Sequence, residues 1–341
     1  MEIKYFSTFS GIGGFEKAIH DIIPNAKCVG FSEIDKYAKS VYLKHFPSHK
    51  DYGDITKIDI QALPDFDLLV GGSPCQDLSI AKKDRKGLQG DRSGLFYKFV
   101  EILKVKKPKY FILENVFSMG KENKDKISEI LGVQPVMINA SLVSAQNRKR
   151  LFWANFLITQ PEDRGILLKD ILEDYINGDR IINPKLLNFK GSDKKSVSLT
   201  ATSYKEPPKV IRIGHLNKGG QGDRIYSPEG KSVNLSANGG GRGAKTGLYA
   251  VALRNRGQGK KPEFGGDKAN AMTTVQTDSM IMKDTIIRKL TPTECARLQC
   301  FDDNWCEGIS NSQQYKCYGN SVCVEVVKHI MSNLILWNQN V

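Results

Sequence analysis

The chain has 341 residues, 40% of them hydrophobic, a formal net charge of +13 and a pI near 9.3. That length supports one large core or two smaller ones, and no apolar run approaches the roughly 20 residues that would span a bilayer. The excess of Lys and Arg favours a polyanionic partner, because each cation placed on a phosphate releases condensed counterions.

The seven cysteines form no CxxC pair and sit beside no histidine cluster, which argues against a disulfide framework, a structural zinc site or any bound metal. Met1-Glu2-Ile3-Lys4-Tyr5 enters a strand directly without a signal-peptide layout, so the expectation is a cytoplasmic, nucleoid-associated protein.

In chain order, Ile3–Phe9 predicts a strand, and the glycine-rich turn Phe9-Ser10-Gly11-Ile12-Gly13-Gly14 leads into a helix over Gly14–Ile23. Lys27–Ser32 is a second strand ending at Glu33, and Asp35–Phe46 an amphipathic helix. Gly53-Asp54-Ile55 lies where the third strand should end. Asp67–Gly71 is the next strand, running into Gly71-Gly72-Ser73-Pro74-Cys75-Gln76. A helix over Leu95–Val105 follows, then strands over Tyr110–Glu114, Val136–Ala140 and Leu151–Asn155. This alternation predicts an α/β fold with a parallel, doubly wound, Rossmann-like sheet.

Composition changes after about residue 175. Residues 176–287 are rich in Gly, Lys, Ser, Thr and Asn. Segments starting at Lys195, Lys231 and Lys268 repeat a short alternating pattern roughly every 36 residues, as stacked β-units would. Gly239–Gly243 and Gly257–Lys261 read as basic loops suited to phosphate. Thr291-Pro292-Thr293-Glu294 carries a capping box, and Val322–Trp337 predicts an apolar helix that packs on the first sheet. The expected organisation is a catalytic domain from 1–175, a smaller β-rich insert at 176–287, a connection at 288–317, and a return to the catalytic domain at 318–341.

Two strand ends deliver a thiol, Cys75, and a carboxyl, Glu114, to the sheet edge where open α/β folds bind ligands. Cys75 is flanked by Pro and Gln rather than by the apolar neighbours of a core cysteine. The glycine turn, the acidic Glu33 and the Asp54-Ile55 pair suit an adenosine compound: Glu33 for ribose hydroxyls, Asp54 for the adenine amine, Phe9 and Ile55 against the ring. Arg148 and Arg150, two apart on an extended segment, face one way. Lys82 to Ser93 is dense in charge with glycines toward its end, as a loop closing over DNA would be.

The glycine turn, Pro74-Cys75-Gln76, Glu114-Asn115-Val116, Gln146 to Arg150, Arg288 to Pro292 with Glu294 to Gln299, and Gly319-Asn320-Ser321-Val322 occur in the order found in DNA cytosine-5 methyltransferases. The chain resembles that family over roughly 3–156 and 286–336. The stretch from Glu114 to Asn155 also looks like the eukaryotic de novo branch, whereas the long insert resembles the target recognition domain of bacterial and phage enzymes.

The resemblance implies S-adenosylmethionine as cofactor and double-stranded DNA as partner, in a monomer belonging to a restriction-modification system, with a cognate endonuclease not physically bound, or to a solitary or phage modifier. It implies that Cys75 adds to C6 of a flipped cytosine, a covalent step that makes C5 nucleophilic. Glu114, with a raised carboxyl pKa, would contact N3 and the exocyclic amine. Arg150 would bind the O2 and phosphate region, with Arg148 supporting it. Gly11, Gly13, Gly14, Pro74, Asn320 and Ser321 would complete the cofactor pocket, and Gln76, Ser79, Lys82 and Arg92 would meet DNA.

Two positions depart from the family: Ser7, where an acidic residue is common, and Cys300, where Gly is common. A tRNA cytosine-5 methyltransferase is the nearest alternative, but its Cys-Phe-Thr signature is missing. A degraded, non-enzymatic DNA-binding relative is disfavoured by intact Cys75, Glu114, Arg148 and Arg150. An NAD oxidoreductase would explain only the glycine turn.

Overall fold

The computed structural model describes residues 2–74, 95–173, 181–182, 212–215, 224–226, 230–235, 248–252, 285–288 and 290–339. The N-terminal half builds a six-stranded sheet from β1 (Lys4–Thr8), β2 (Lys27–Ser32), β3 (Leu68–Gly72), β4 (Tyr110–Val116), β5 (Val136–Asn139) and β6 (Lys149–Ala154). Their order is β2-β1-β3-β4-β6-β5.

Strands β1 to β4 pair in parallel, but β6 runs antiparallel to both β4 and β5, so the sheet is mixed rather than all-parallel. The reason lies in the connection. Residues 140–148 carry only a short 3-10 turn, and a parallel crossover needs roughly a dozen residues or more, usually a helix.

Side chains alternate between two cores along each central strand, as a strand buried on both faces requires. Tyr5, Leu68, Val70, Tyr110, Ile112 and Phe152 join one core, whereas Phe6, Leu69, Phe111, Leu113, Leu151 and Trp153 join the other. The first face is covered by α1 (Gly14–Ile22) and by the last helix, α7 (Val324–Gln339), through Phe15, Ile19, Val327, Ile330 and Leu334. The second face is covered by α3 (Phe96–Lys106) and α4 (Lys121–Leu131), through Phe96, Phe99, Ile102 and Ile127. Both ends of the chain therefore complete one sheet.

Helix α2 (Lys36–His45) starts at Asp35, whose Oδ1 accepts from the Tyr37 and Ala38 amides. Helix α5 (Pro292–Leu298) opens on the expected capping box: Thr291 Oγ1 accepts from Glu294 N, and Glu294 Oε2 accepts from Thr291 N at 2.8 Å. Helix α6 (Asn311–Asn320) precedes α7 and ends in the Gly319-Asn320-Ser321 motif. No helix among the described residues is long and apolar enough to cross a membrane.

Two expectations are corrected. Gly53-Asp54-Ile55 does not end a strand: Gly53 adopts φ +66, which breaks extension, and Asp54 caps a 3-10 turn over Ile55–Lys57. The Lys231 segment is not a stacked β-unit either. Ser232 bridges to Gln146, its amide donates to Ala145 O at 2.8 Å, and the fully buried Lys231 donates to the carbonyls of Ser144 and Ile166. Its period-two pattern reads as a strand, but its hydrogen-bond partners come from the first sheet's own loops. The Lys195 and Lys268 segments and both glycine-rich basic loops lie outside the described residues. A second sheet, in the order β7 (Ile181–Ile182), β11 (Thr285–Arg288), β10 (Leu248–Ala252), β9 (Arg224–Tyr226), β8 (Arg212–His215), forms within the insert region and just beyond it.

Candidate active site

The strand order reverses direction around β1, because β2 and β3 flank it on opposite sides. Crevices at such a switch point, outside the carboxyl ends of the strands, are where open α/β sheets hold ligands. The glycine turn sits there. Phe9, Gly11 and Gly13 adopt φ +53, +58 and +87 in turn, a path that carries the chain from β1 into α1.

A side chain at Gly13 would lie 2.5 Å from the Phe46 ring, and one at Gly14 2.8 Å from Val322. On the other side, a Cβ at Gly11 or Gly53 would meet nothing within 4 Å. The turn is thus packed hard from beneath and open above.

Glu33, at the end of β2, is half-buried and holds this turn from the side. Its Oε2 accepts from Gly11 N at 2.8 Å, and its Oε1 from Ile34 N and Asp35 N at 2.8 and 2.7 Å. Ser32 Oγ donates to Gly53 O at 2.7 Å, tying the end of β2 to the loop that carries Asp54. Both side-chain hydrogen bonds of Asp54 fall on Oδ1, from Thr56 N and Oγ1, and they hold its carboxyl below the usual range. Ile55 is buried in the core cluster against which Phe9 packs.

Beneath the turn, Glu16 is fully buried, and its Oε1 accepts from the Tyr42 hydroxyl at 3.1 Å. Burial pushes this carboxyl up to about 7. The same hydroxyl meets His49 Nδ1 at 2.9 Å, and burial lowers that imidazole to about 4. Sequence reading missed Glu16, whose polar type in the first turn of a helix suggests a solvated face.

On the other side of the switch point, Gly72 of β3 pairs in register with Glu114 of β4. Glu114 Oε2 lies 3.0 Å from where a Cβ on Gly72 would sit, so a side chain there would crowd the carboxylate. Arg150, across β6, places Nε 2.9 Å from Glu114 Oε1, with both side chains about one-eighth exposed. Asn115, next to Glu114, points the other way and is buried. Its Nδ2 donates to Ser73 O at 3.2 Å and Ser73 Oγ at 2.9 Å, and its Oδ1 accepts from Val116 N. Asn115 thereby clamps the chain just before Pro74, a role that its Glu-Asn-Val setting did not disclose.

Arg148 does not join Arg150 at Glu114. It is buried and donates to Asn234 Oδ1 at 2.7 Å, Leu235 O at 3.3 Å, Gly319 O at 3.2 Å and Ser321 O at 2.6 Å. It fastens the middle of the insert, at Asn234 and Leu235, to the end of α6 and the loop before α7. Ser321 is buried and Asn320 exposed at that loop. A small pocket joins the two arginines after all, lined by Glu114, Arg148, Arg150, Phe152, Val322 and Cys323. A further cleft, between the end of α1 and α7 near Ile22, Pro24 and Asn338, lies at the opposite end of the sheet and carries no titratable side chain. Cys75, Gln76, Ser79, Lys82 and Arg92 lie outside the described residues. No group of three or more His, Cys, Asp or Glu side chains suited to a metal occurs among the described residues.

The fold is shared with solved methyltransferases. A methyltransferase of Entamoeba histolytica superposes with a TM-score of 0.70 at 18% identity, covering 98% of each chain. The Dnmt2 methyltransferase of S. pombe gives 0.61 at 18% identity over 99% of this chain and 100% of that one.

The sequence goes further than the fold. The chain belongs to the C-5 cytosine-specific DNA methylase family, which matches residues 3–336. It is 31% identical to the type II methyltransferase M.HhaI of Haemophilus parahaemolyticus, over 97% of this chain and 94% of that protein. It is 29% identical to the orphan methyltransferase M.SPRI of Bacillus phage SPR, over 98% of each. The protein is a DNA cytosine-5 methyltransferase, and its methyl donor is S-adenosylmethionine. The open space above Gly11 and Gly53, beside the Glu33 carboxylate and the apolar Phe9, fits that donor.

Proposed function

We propose that the chain methylates a specific DNA sequence through a covalent adduct between Cys75 and cytosine C6, within a restriction-modification system or as a solitary modifier. The observation that carries the reading is the Gly72–Glu114–Arg150 cluster, which stands beside the end of β3, from which Cys75 follows three residues on.

In this reading the cofactor turn is held by Glu33 through Gly11 N, and Phe9, Asp54, Ile55, Pro74, Asn320 and Ser321 surround the donor. When bound, the donor supplies an electrophilic methyl group. Glu114 hydrogen-bonds N3 and the exocyclic amine of the flipped base, with Arg150 fixing its carboxyl group and meeting O2. The Cys75 thiolate would bond to C6 and push an electron pair to C5, which would take the methyl group as its bond to the donor's sulfur breaks. Loss of the C5 proton then expels the thiolate and restores the ring. Arg148 supports this site from behind, as its hydrogen bonds to the 319–321 loop suggest. Gln76, Ser79, Lys82 and Arg92 would contact DNA from the closing loop.

Residues 176–287 are proposed to choose the DNA site, with phosphate contacts dominating affinity, so that binding weakens steeply with salt. The protein acts as a monomer, and any cognate endonuclease works without binding it.

The test is duplex DNA carrying 5-fluorocytosine, which retains the C5 substituent and should trap a denaturation-resistant complex in the presence of S-adenosylmethionine. Cys75→Ser should abolish trapping; an undiminished adduct in that variant overturns the covalent assignment. Grafting the insert from a relative of known specificity should transfer that specificity, and an active chimaera still methylating the original site would show that the insert is not the reader.

A further inference from the structure

Cys300 is where this chain departs from the glycine common in its family, and the backbone shows why glycine belongs there. Helix α5 ends in a Schellman arrangement: Cys300 N donates to Arg297 O, and Phe301 N to Ala296 O, both at 3.0 Å. The residue at Cys300 therefore adopts a left-handed conformation, φ +62, which glycine enters without steric penalty and a side chain does not. A thiol held at such a position calls for a reason.

The reason lies across the packing. Cys300 Sγ is 3.6 Å from Cys323 Sγ, and the two segments are laced together by Val324 N donating to Gln299 O at 2.9 Å. Cys300 is partly exposed, whereas Cys323 is buried. The hydrogen bond between the two sulfurs holds the Cys300 thiol below its ordinary range and, with burial, pushes Cys323 up. Cys300 thus lies nearer the surface with Cys323 behind it, the arrangement of an attacking and a resolving thiol.

We propose that Cys300 and Cys323 are a redox modification site, closed to a disulfide by hydrogen peroxide and reopened by thiols. The Cys300 thiolate attacks a peroxide oxygen and becomes a sulfenic acid, and the other oxygen leaves as water after taking a proton. Cys323 then displaces the sulfenic hydroxyl as a second water. The two sulfurs together lose two electrons, which the peroxide gains.

Closing the bond shortens the sulfur separation by about 1.5 Å, from 3.6 Å to the roughly 2.05 Å of a disulfide. The chain neighbours of both thiols rest under the cofactor turn. A Cβ placed on Gly14 would lie 2.8 Å from Val322, 3.0 Å from Ser321 Oγ and 3.3 Å from the Phe301 ring. A shift of either segment therefore reaches the turn, and oxidation weakens S-adenosylmethionine binding. The site itself is independent of the covalent role proposed for Cys75.

The experiment uses the full chain carrying Cys75→Ser, so that the proposed nucleophile takes no part. After graded hydrogen peroxide, free thiols are tagged with a maleimide, peptides are mapped by mass, and cofactor affinity is measured by calorimetry. A linked Cys300–Cys323 peptide, two hydrogens lighter and reversed by dithiothreitol, should appear together with a several-fold loss of affinity. Adding Cys300→Gly, which relieves the left-handed backbone, or Cys323→Val should remove both effects. Absence of the linked peptide, a link without loss of affinity, or an equal loss in either variant overturns the proposal.

Discussion

The two sides of the switch point are built by different means. Around the glycine turn, positions are held by carboxylates that accept from backbone amides: Glu33 from Gly11, Ile34 and Asp35, and Asp54 from Thr56. Around Glu114, position depends on side chains reaching across strands, namely the Arg150 ion pair and the Asn115 clamp on Ser73. Carboxylates bonded to amides of their own or a neighbouring loop lose little freedom on forming those bonds, so the glycine-turn side is set before any ligand arrives. An ion pair between long side chains can open and re-form around a base. Under the proposed function, the difference suits a donor that always looks the same and a substrate base drawn out of a duplex.

The largest effect expected from breaking that comparison is on the base side. If Glu114 faces N3 as proposed, Glu114→Gln removes its carboxyl group from the base and should lower kcat by about 10²–10⁴-fold, the usual worth of a positioned acid or base. Cofactor affinity by calorimetry should stay unchanged. If both fall together, the two sides are not independent.

Arg148→Met tests what joins the sides to the insert. It strips the donors from four acceptors, three of them backbone carbonyls, and at about 1 kcal/mol each should cost about 4 kcal/mol of stability. Denaturant unfolding measures this directly, and a near-neutral result would mean that water replaces the guanidinium.

Glu16 sharpens the contrast through pH. Its folded pKa, about 7, lies above the ordinary 4.5 because burial penalises the charge. The folded state thus binds the extra proton between these values, and stability falls as pH rises through that window, by about 3 kcal/mol in all. Glu16→Gln should flatten that fall. Since half-buried His49 contributes an opposite trend as pH falls below the ordinary range of histidine, the quantity to compare is the difference between the wild-type and variant curves of stability against pH.

The smallest effect is Glu33→Ala, which should weaken S-adenosylmethionine binding by about 1–3 kcal/mol, the cost of hydrogen-bonding groups left unpaired. Calorimetry with unchanged affinity would leave Glu33 as a brace for the Gly11 amide and nothing more.

Much of the first sheet was legible because apolar runs bounded by glycine, proline and capping residues report local geometry. β2 begins and ends where its residues predict, Asp35 and Thr291 cap the helices they precede, and the family motifs stand in order along the chain. What sequence could not carry was relative placement. The reversal of β6 depends on how little chain lies between it and β5. The split between Arg150, paired with Glu114, and Arg148, turned to the 319–321 loop, depends on which surfaces meet. The Lys231 segment found its partners in loops more than 60 residues away, and Cys300 met Cys323 only because α5 ends beside the start of α7. Local pattern follows from covalent geometry and burial, which each short stretch reports for itself. Pairing across the fold is decided by packing that brings distant residues together, and only the tertiary structure holds that information.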